Sequence, residues 1–161
     1  MAEQAANQQQ AQGQFQLQRI YIKDLSFEAP KAHEVFRQEW KPEVNLEVNH
    51  SANKVEGDIY EVVLKVTVTV KNQEKSAFVV EVQQAGLFQI AGIEGVQFEH
   101  VVKGVCPNIL FPYVRETISD LVARGTFPQF LLQPINFEAA FVEQMRRQQQ
   151  QQEQANPESR H

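Results

Sequence analysis

Apolar and polar residues alternate cleanly through the middle of the chain. Tyr60, Val62, Leu64, Val66, Val68 and Val70 share one parity, while Glu61, Lys65, Thr67 and Thr69 hold the other. Period-two alternation over a β-branched stretch predicts a half-buried strand. Lys71 to Lys75 is short and polar, so a hairpin follows. The return strand is expected from about Ser76 to Ile90, with Phe78, Val80 and Val82 on one face. Val44, Leu46 and Val48 alternate with Asn45 and Glu47 in a shorter strand. Phe15 to Phe27 breaks the rule: Phe15, Leu17, Tyr21, Leu25 and Phe27 share a parity, but Ile20 and Ile22 have the other. Either a bulge resets the phase, or both faces are covered, the second most naturally by another subunit.

The second half has helical spacing. Asn108 is expected to cap a helix with Pro112 tolerated early in it, and Leu110, Val114, Ile118, Leu121 and Val122 follow as its stripe. Gly125 is expected as a left-handed C-terminal residue, and Pro128 prevents continuation. A second helix begins after Pro134 with Asn136 as cap, and buries Phe137, Ala140, Phe141 and Met145. A shorter helix is expected over Glu94 to Lys103. Near its start the first long helix also carries Ile109, Phe111 and Tyr113, more apolar girth than one sheet contact requires. That excess calls for a symmetric partner. The loop between the long helices holds Phe127, Phe130, Leu131 and Leu132. So apolar a loop must bury itself, pair with another subunit or present a sticky surface.

Composition narrows the field. The chain has 161 residues, enough for one domain with a genuine core. That domain is expected over 15–145, between Gln-rich tails, 1–14 and 146–161, that bury too little to offset their chain entropy and should be largely disordered, with room for some helix to spill from the second long helix into the Gln run. No apolar run is long enough to span a bilayer. Met1 to Gln14 lacks the features of a secretory signal, and the single cysteine fits a reducing, cytoplasmic compartment. A net charge of −5 with scattered Lys and Arg speaks against nucleic-acid binding and suits a partner with a basic surface.

Catalytic chemistry finds little support. Cys106 near a helix N-terminus would have a lowered pKa, but no histidine falls in a partnering pattern. One thiol and one imidazole, Cys106 and His100, do not make a zinc site. Gly92-Ile93-Glu94-Gly95 lacks the rest of a phosphate loop. An enzyme is therefore rejected. The informative surface is apolar. Val35, Phe36 and Trp40, in the crossover from Ala29, lie opposite the loop of Phe127, Phe130, Leu131 and Leu132. These residues close the ends of the core, or they wall a groove floored by Val44, Leu46 and Val48. Such a groove would bind polypeptide with little side-chain selectivity.

Several runs carry a family resemblance. They are Cys106-Pro107-Asn108-Ile109-Leu110-Phe111-Pro112-Tyr113, Arg124-Gly125-Thr126-Phe127-Pro128-Gln129 and Pro134-Ile135-Asn136-Phe137. Gln18-Arg19-Ile20-Tyr21, Ser26-Phe27-Glu28-Ala29-Pro30 and Ile90-Ala91-Gly92-Ile93-Glu94-Gly95 add to them. Together they resemble the protein-export chaperone SecB family. The resemblance implies an α+β fold: a four-stranded antiparallel sheet with helices packed on one side, assembled as a dimer of dimers, a homotetramer. It implies an ATP-independent chaperone that binds unfolded precursor polypeptides in the cytoplasm and delivers them to the SecA ATPase for secretion. No cofactor, metal, nucleic acid or membrane insertion is implied.

The implied client contacts are Phe36, Trp40, Val44, Leu46, Phe127, Phe130, Leu132 and Phe137. The implied SecA contacts are Asp24, Glu28, Val79 and Glu81. Assembly would involve Ile20, Ile22, Val80, Val82, Gln84, Ile109, Val114 and Ile118. Two rival classes are a closed structural oligomer, whose apolar surface is consumed by assembly, and a small-molecule carrier with the loops as pocket walls.

Overall fold

The structure is a computed structural model that describes residues 13–156. Residues 1–12 and 157–161, expected from sequence to belong to disordered tails, lie outside the described residues. The first half forms strands β1 (Gln14–Glu28), β2 (Pro42–Glu56), β3 (Ile59–Asn72) and β4 (Lys75–Ala91), with a short helix α1 (Ala32–Val35) in the β1–β2 crossover. The second half is α2 (Gly95–His100), a π turn (Val101–Val105), α3 (Cys106–Arg124) and α4 (Phe137–Ala155). The four strands make one antiparallel sheet in the order β1-β4-β3-β2. β3 and β4 are central, and their valine-rich alternation feeds a core on one side of the sheet.

That core is sheet against helix. Val62, Leu64, Val66, Val68, Val80, Val82 and Phe88 are fully buried. Facing them, Cys106, Leu110, Val114, Ile118 and Val122 form a row of four-residue steps along α3, each fully buried. α3 lies mainly over β4 and β3, leaving the two edge strands partly uncovered.

The mixed parity of β1 has a local cause. Register shifts between Leu17 and Arg19, and between Ile22 and Asp24, each insert one residue. Phe15, Leu17, Ile20, Ile22, Leu25 and Phe27 thereby lie opposite Ile90, Phe88, Gly86, Gln84, Val82 and Val80, all on the helix side. Two bulges, and not a second covered face, explain the isoleucines.

Four other expectations need correction. The short helix over Glu94–Lys103 is not separate: the backbone stays helical from Gly95 into α3. Pro107 lacks the N–H that the carbonyl four residues back would accept. The turn before it widens, so that the Cys106 N–H reaches Val101 O. Asn108 therefore lies inside a helix and caps a different one, accepting from Phe137 N at 2.8 Å at the start of α4. Pro112 is likewise an interior residue of α3. Gly125 is right-handed (φ −73°), and the left-handed residue is Thr126 (φ 60°). Glycine is needed at 125 for space, because a Cβ there would stand 2.6 Å from the Phe27 ring. The spill of helix into the Gln run is as the sequence allowed: α4 extends through it to Ala155. Gln and Glu are good helix formers, and the Asn136 side chain caps the helix by accepting from Ala139 N at 3.1 Å.

Candidate functional site

Two surfaces stand out, one on each side of the sheet. On the helix side, β2 carries Val44, Leu46 and Val48 beyond the reach of α3, and Val44 and Leu46 are exposed. The crossover adds exposed Phe36 and half-buried Trp40; the loop after α3 adds half-buried Phe130. Between the walls sits Phe127, with ring centroids 4.9 Å from Phe36, 4.9 Å from Phe78, 5.9 Å from Trp40 and 6.4 Å from Phe27. The result is an apolar strip, walled by aromatics and running along a sheet edge.

Of the expected client contacts, Phe36, Trp40, Val44, Leu46 and Phe130 border this strip. Phe127, Leu132 and Phe137 are core residues, exposed by only 5%, 7% and 5%. Phe137 lies toward β2, against Phe111 and the edge of His50. For these three, closing the core is the role the structure shows. Leu131, at 59% exposed, is the loop's wet apolar residue, but it lies beside Pro112, Arg115 and Ala123 on the outer face of α3, away from the strip.

The other sheet face is open. Asp24, Ser26 and Glu28 lie opposite Gln83, Glu81 and Val79, so Asp24, Glu28, Val79 and Glu81 share that face. Glu81 is partly neutralised by Lys65 at 3.6 Å, whereas Asp24 and Glu28 make no ion pair among the described residues. Nearby, Tyr21 donates a hydrogen bond to Glu61, and Lys23 Nζ pairs with the same carboxylate at 2.6 Å. Sequence reading missed this trio, which ties β1 to β3 across β4.

The trio makes stability depend on pH at both ends. The hydrogen bond from Lys23, then that from Tyr21, holds the Glu61 carboxyl below its ordinary value of 4.5. Its stabilisation is complete above that value and is lost as pH falls through the folded-state pKa. Burial, then the bond to Glu61, pushes the Tyr21 hydroxyl up to about 12 from 10.0, so its contribution holds below 10.0 and fades above it. Glu61→Gln is expected to flatten the acid limb of melting temperature against pH below about pH 5. Thermal melts across pH check this; an unchanged acid limb rules the trio out as its source.

The expected assembly residues divide. Val80, Val82, Val114 and Ile118 are fully buried within one chain, and Gln84 is 3% exposed. The Gln84 Oε1 atom has no hydrogen-bond partner among the described residues. Ile20 and Ile109 are half-buried, and Ile22 is 47% exposed. The exposed apolar face of β1 is therefore Phe15, Leu17, Ile22 and Leu25. Cys106 is buried in the core rather than at a helix start, and burial raises its pKa to about 12, so the thiol stays protonated. Among the described residues no cluster could hold a metal ion, and no helix is long and apolar enough to cross a membrane.

Comparison with known proteins places these surfaces in a family context. A family model described as preprotein translocase subunit SecB matches residues 7–150. A protein-export protein SecB of Ectopseudomonas mendocina (strain ymp) is 55% identical over 137 residues, covering 85% of each chain. The protein of that name from Stutzerimonas stutzeri (strain A1501) is 53% identical over 145 residues, covering 90% of this chain and 88% of its own. Among solved structures, a Mycobacterium tuberculosis SecB-like chaperone, in complex with a ChAD peptide from an antitoxin, shares the fold. Its TM-score is 0.58 at 18% identity, over 76% of this chain and 88% of that one.

Proposed function

This chain belongs to the SecB family, and on that premise we propose that it is a protein-export chaperone. It binds unfolded precursor polypeptides in the cytoplasm, keeps them translocation-competent without ATP or metal, and passes them to the SecA ATPase. The observation that carries the reading is the uncovered apolar strip of Phe36, Trp40, Val44 and Leu46 along the free edge of β2. An unfolded chain is apolar in patches and has unpaired backbone groups, and the strip with its strand edge suits both. The open face with Asp24 and Glu28 is the SecA-docking surface. Assembly as a dimer of dimers uses the exposed apolar face of β1. Val80, Val82, Gln84, Val114 and Ile118 act on assembly indirectly, by fixing where α3 lies.

Two double variants test the reading together. Phe36→Ala with Trp40→Ala should release a labelled, urea-unfolded precursor roughly tenfold faster while SecA affinity stays near the parent value. Asp24→Lys with Glu28→Lys should weaken SecA binding and its salt dependence, with client release nearly unchanged. Stopped-flow release and SecA titration at two salt concentrations read the two activities. Loss of both activities in either variant would undo the division into two surfaces. Parental client release in the aromatic variant would move the groove elsewhere. Binding of an exposed-hydrophobe dye by the intact assembly separates a chaperone from a closed oligomer.

A further inference from the structure

One polar side chain lies where the alternation of β3 demands an apolar one. Asn72 continues the buried parity of Tyr60 to Val70 and is fully buried. Both ends of its amide are used, on the crossover. Lys41 N donates to Asn72 Oδ1 at 2.7 Å, and Asn72 Nδ2 donates to Glu39 O at 3.1 Å and to Gln38 Oε1 at 3.4 Å. Gln73 Nε2 adds a second bond to Glu39 O at 3.0 Å. Glu39 and Lys41 flank Trp40, so Asn72 grips the carbonyl before the indole and the N–H after it.

We propose that Asn72 is the positioning residue of the client groove, fixing Trp40 as a preset wall. The proposal rests on the groove reading above. A segment between a helix and a strand would otherwise sample many backbone states, and ordering it on binding would subtract from affinity. A buried amide that donates and accepts at once holds both peptide groups without help from client. Carboxylate or methyl at this position cannot do so: Asn72→Asp keeps the acceptor but turns an oxygen toward Glu39 O, and Asn72→Ala removes every bond.

Trp40 is the single tryptophan of the chain, so its fluorescence reports the wall directly. Acrylamide quenching without client, and stopped-flow client release, are measured for Asn72→Asp, Asn72→Ala and the exposed-site variant Gln73→Ala. Val62→Ala, in the core, serves as a destabilised control. Quenching is expected to rise at least about twofold in the Asn72 variants, and less in Gln73→Ala, with release roughly threefold to tenfold faster. Val62→Ala should move neither while folded. If the Asn72 variants do not fold, Gln73→Ala still decides, because its side chain bonds the same carbonyl from the surface. Parental quenching in the folded Asn72 variants, or in Gln73→Ala when it alone can be measured, overturns the proposal. Raised quenching with parental release shows that Trp40 is held as described but does not touch client, which overturns the groove reading instead.

Discussion

Truncating Phe127 to Ala is expected to destabilise the protein by about 3–5 kcal/mol, the range for a buried phenylalanine. Its ring is 5% exposed and meets four other aromatic rings within 6.4 Å. A cavity there would loosen β1 through Phe27, β4 through Phe78 and the crossover through Phe36 and Trp40 together. Phe36→Ala, at a ring that is half exposed, should cost less than about 1 kcal/mol. Urea unfolding of both variants at one protein concentration makes the comparison, since assembly couples stability to concentration. Similar midpoints for the two would mean that the aromatic cluster does not hold the groove walls to the core.

The second large effect is expected at Ile22. In a two-fold contact each substitution enters twice. Ile22→Asp would bury two carboxylates with no partner, costing several kcal/mol per interface where the site is dry. Within one chain the residue is 47% exposed, so the subunit itself should remain folded. Light scattering should show a smaller species, and far-ultraviolet circular dichroism should stay near that of the parent. The matched substitution Val82→Asp, at a fully buried position, should unfold the chain instead. Retention of full mass by Ile22→Asp would place the contact elsewhere than on β1.

The central strands were legible because the valines at 62, 66, 68, 70, 80 and 82 keep one parity, all buried, despite Val63 and Val79 on the other. The acidic face followed from the same parity once pairing was known. β1 was ambiguous because bulges carry no strong composition signal, and two of them in 15 residues scramble a period-two pattern. The aromatic loop could be recognised as apolar, but not divided: Phe127 and Leu131 read alike in sequence, and only packing makes one a core ring and the other a surface contact. Asn108 and Gly125 had suitable residue types for the wrong reasons, since an amide can cap a neighbouring helix and a glycine can make room for a ring. Asn72 was visible in principle, as a polar residue at a buried parity. Its partners lie over thirty positions away in the chain, and no local pattern could supply them.

The π turn before α3 sets the azimuth of everything after it. Each residue turns an α-helix by about 100°, so steps of four drift by about 40° around the axis. Phe98, Val102 and Cys106 follow one another in such steps, with Phe98 against Tyr60 and Cys106 in the core. The wide turn from Val101 to Val105 takes back part of that drift, letting one rod serve both ends of a twisted sheet. Removing or adding one residue there would turn the whole Cys106–Val122 row by about 100°, away from β4. What this stretch must conserve is therefore a number of residues, more than any one side chain within it.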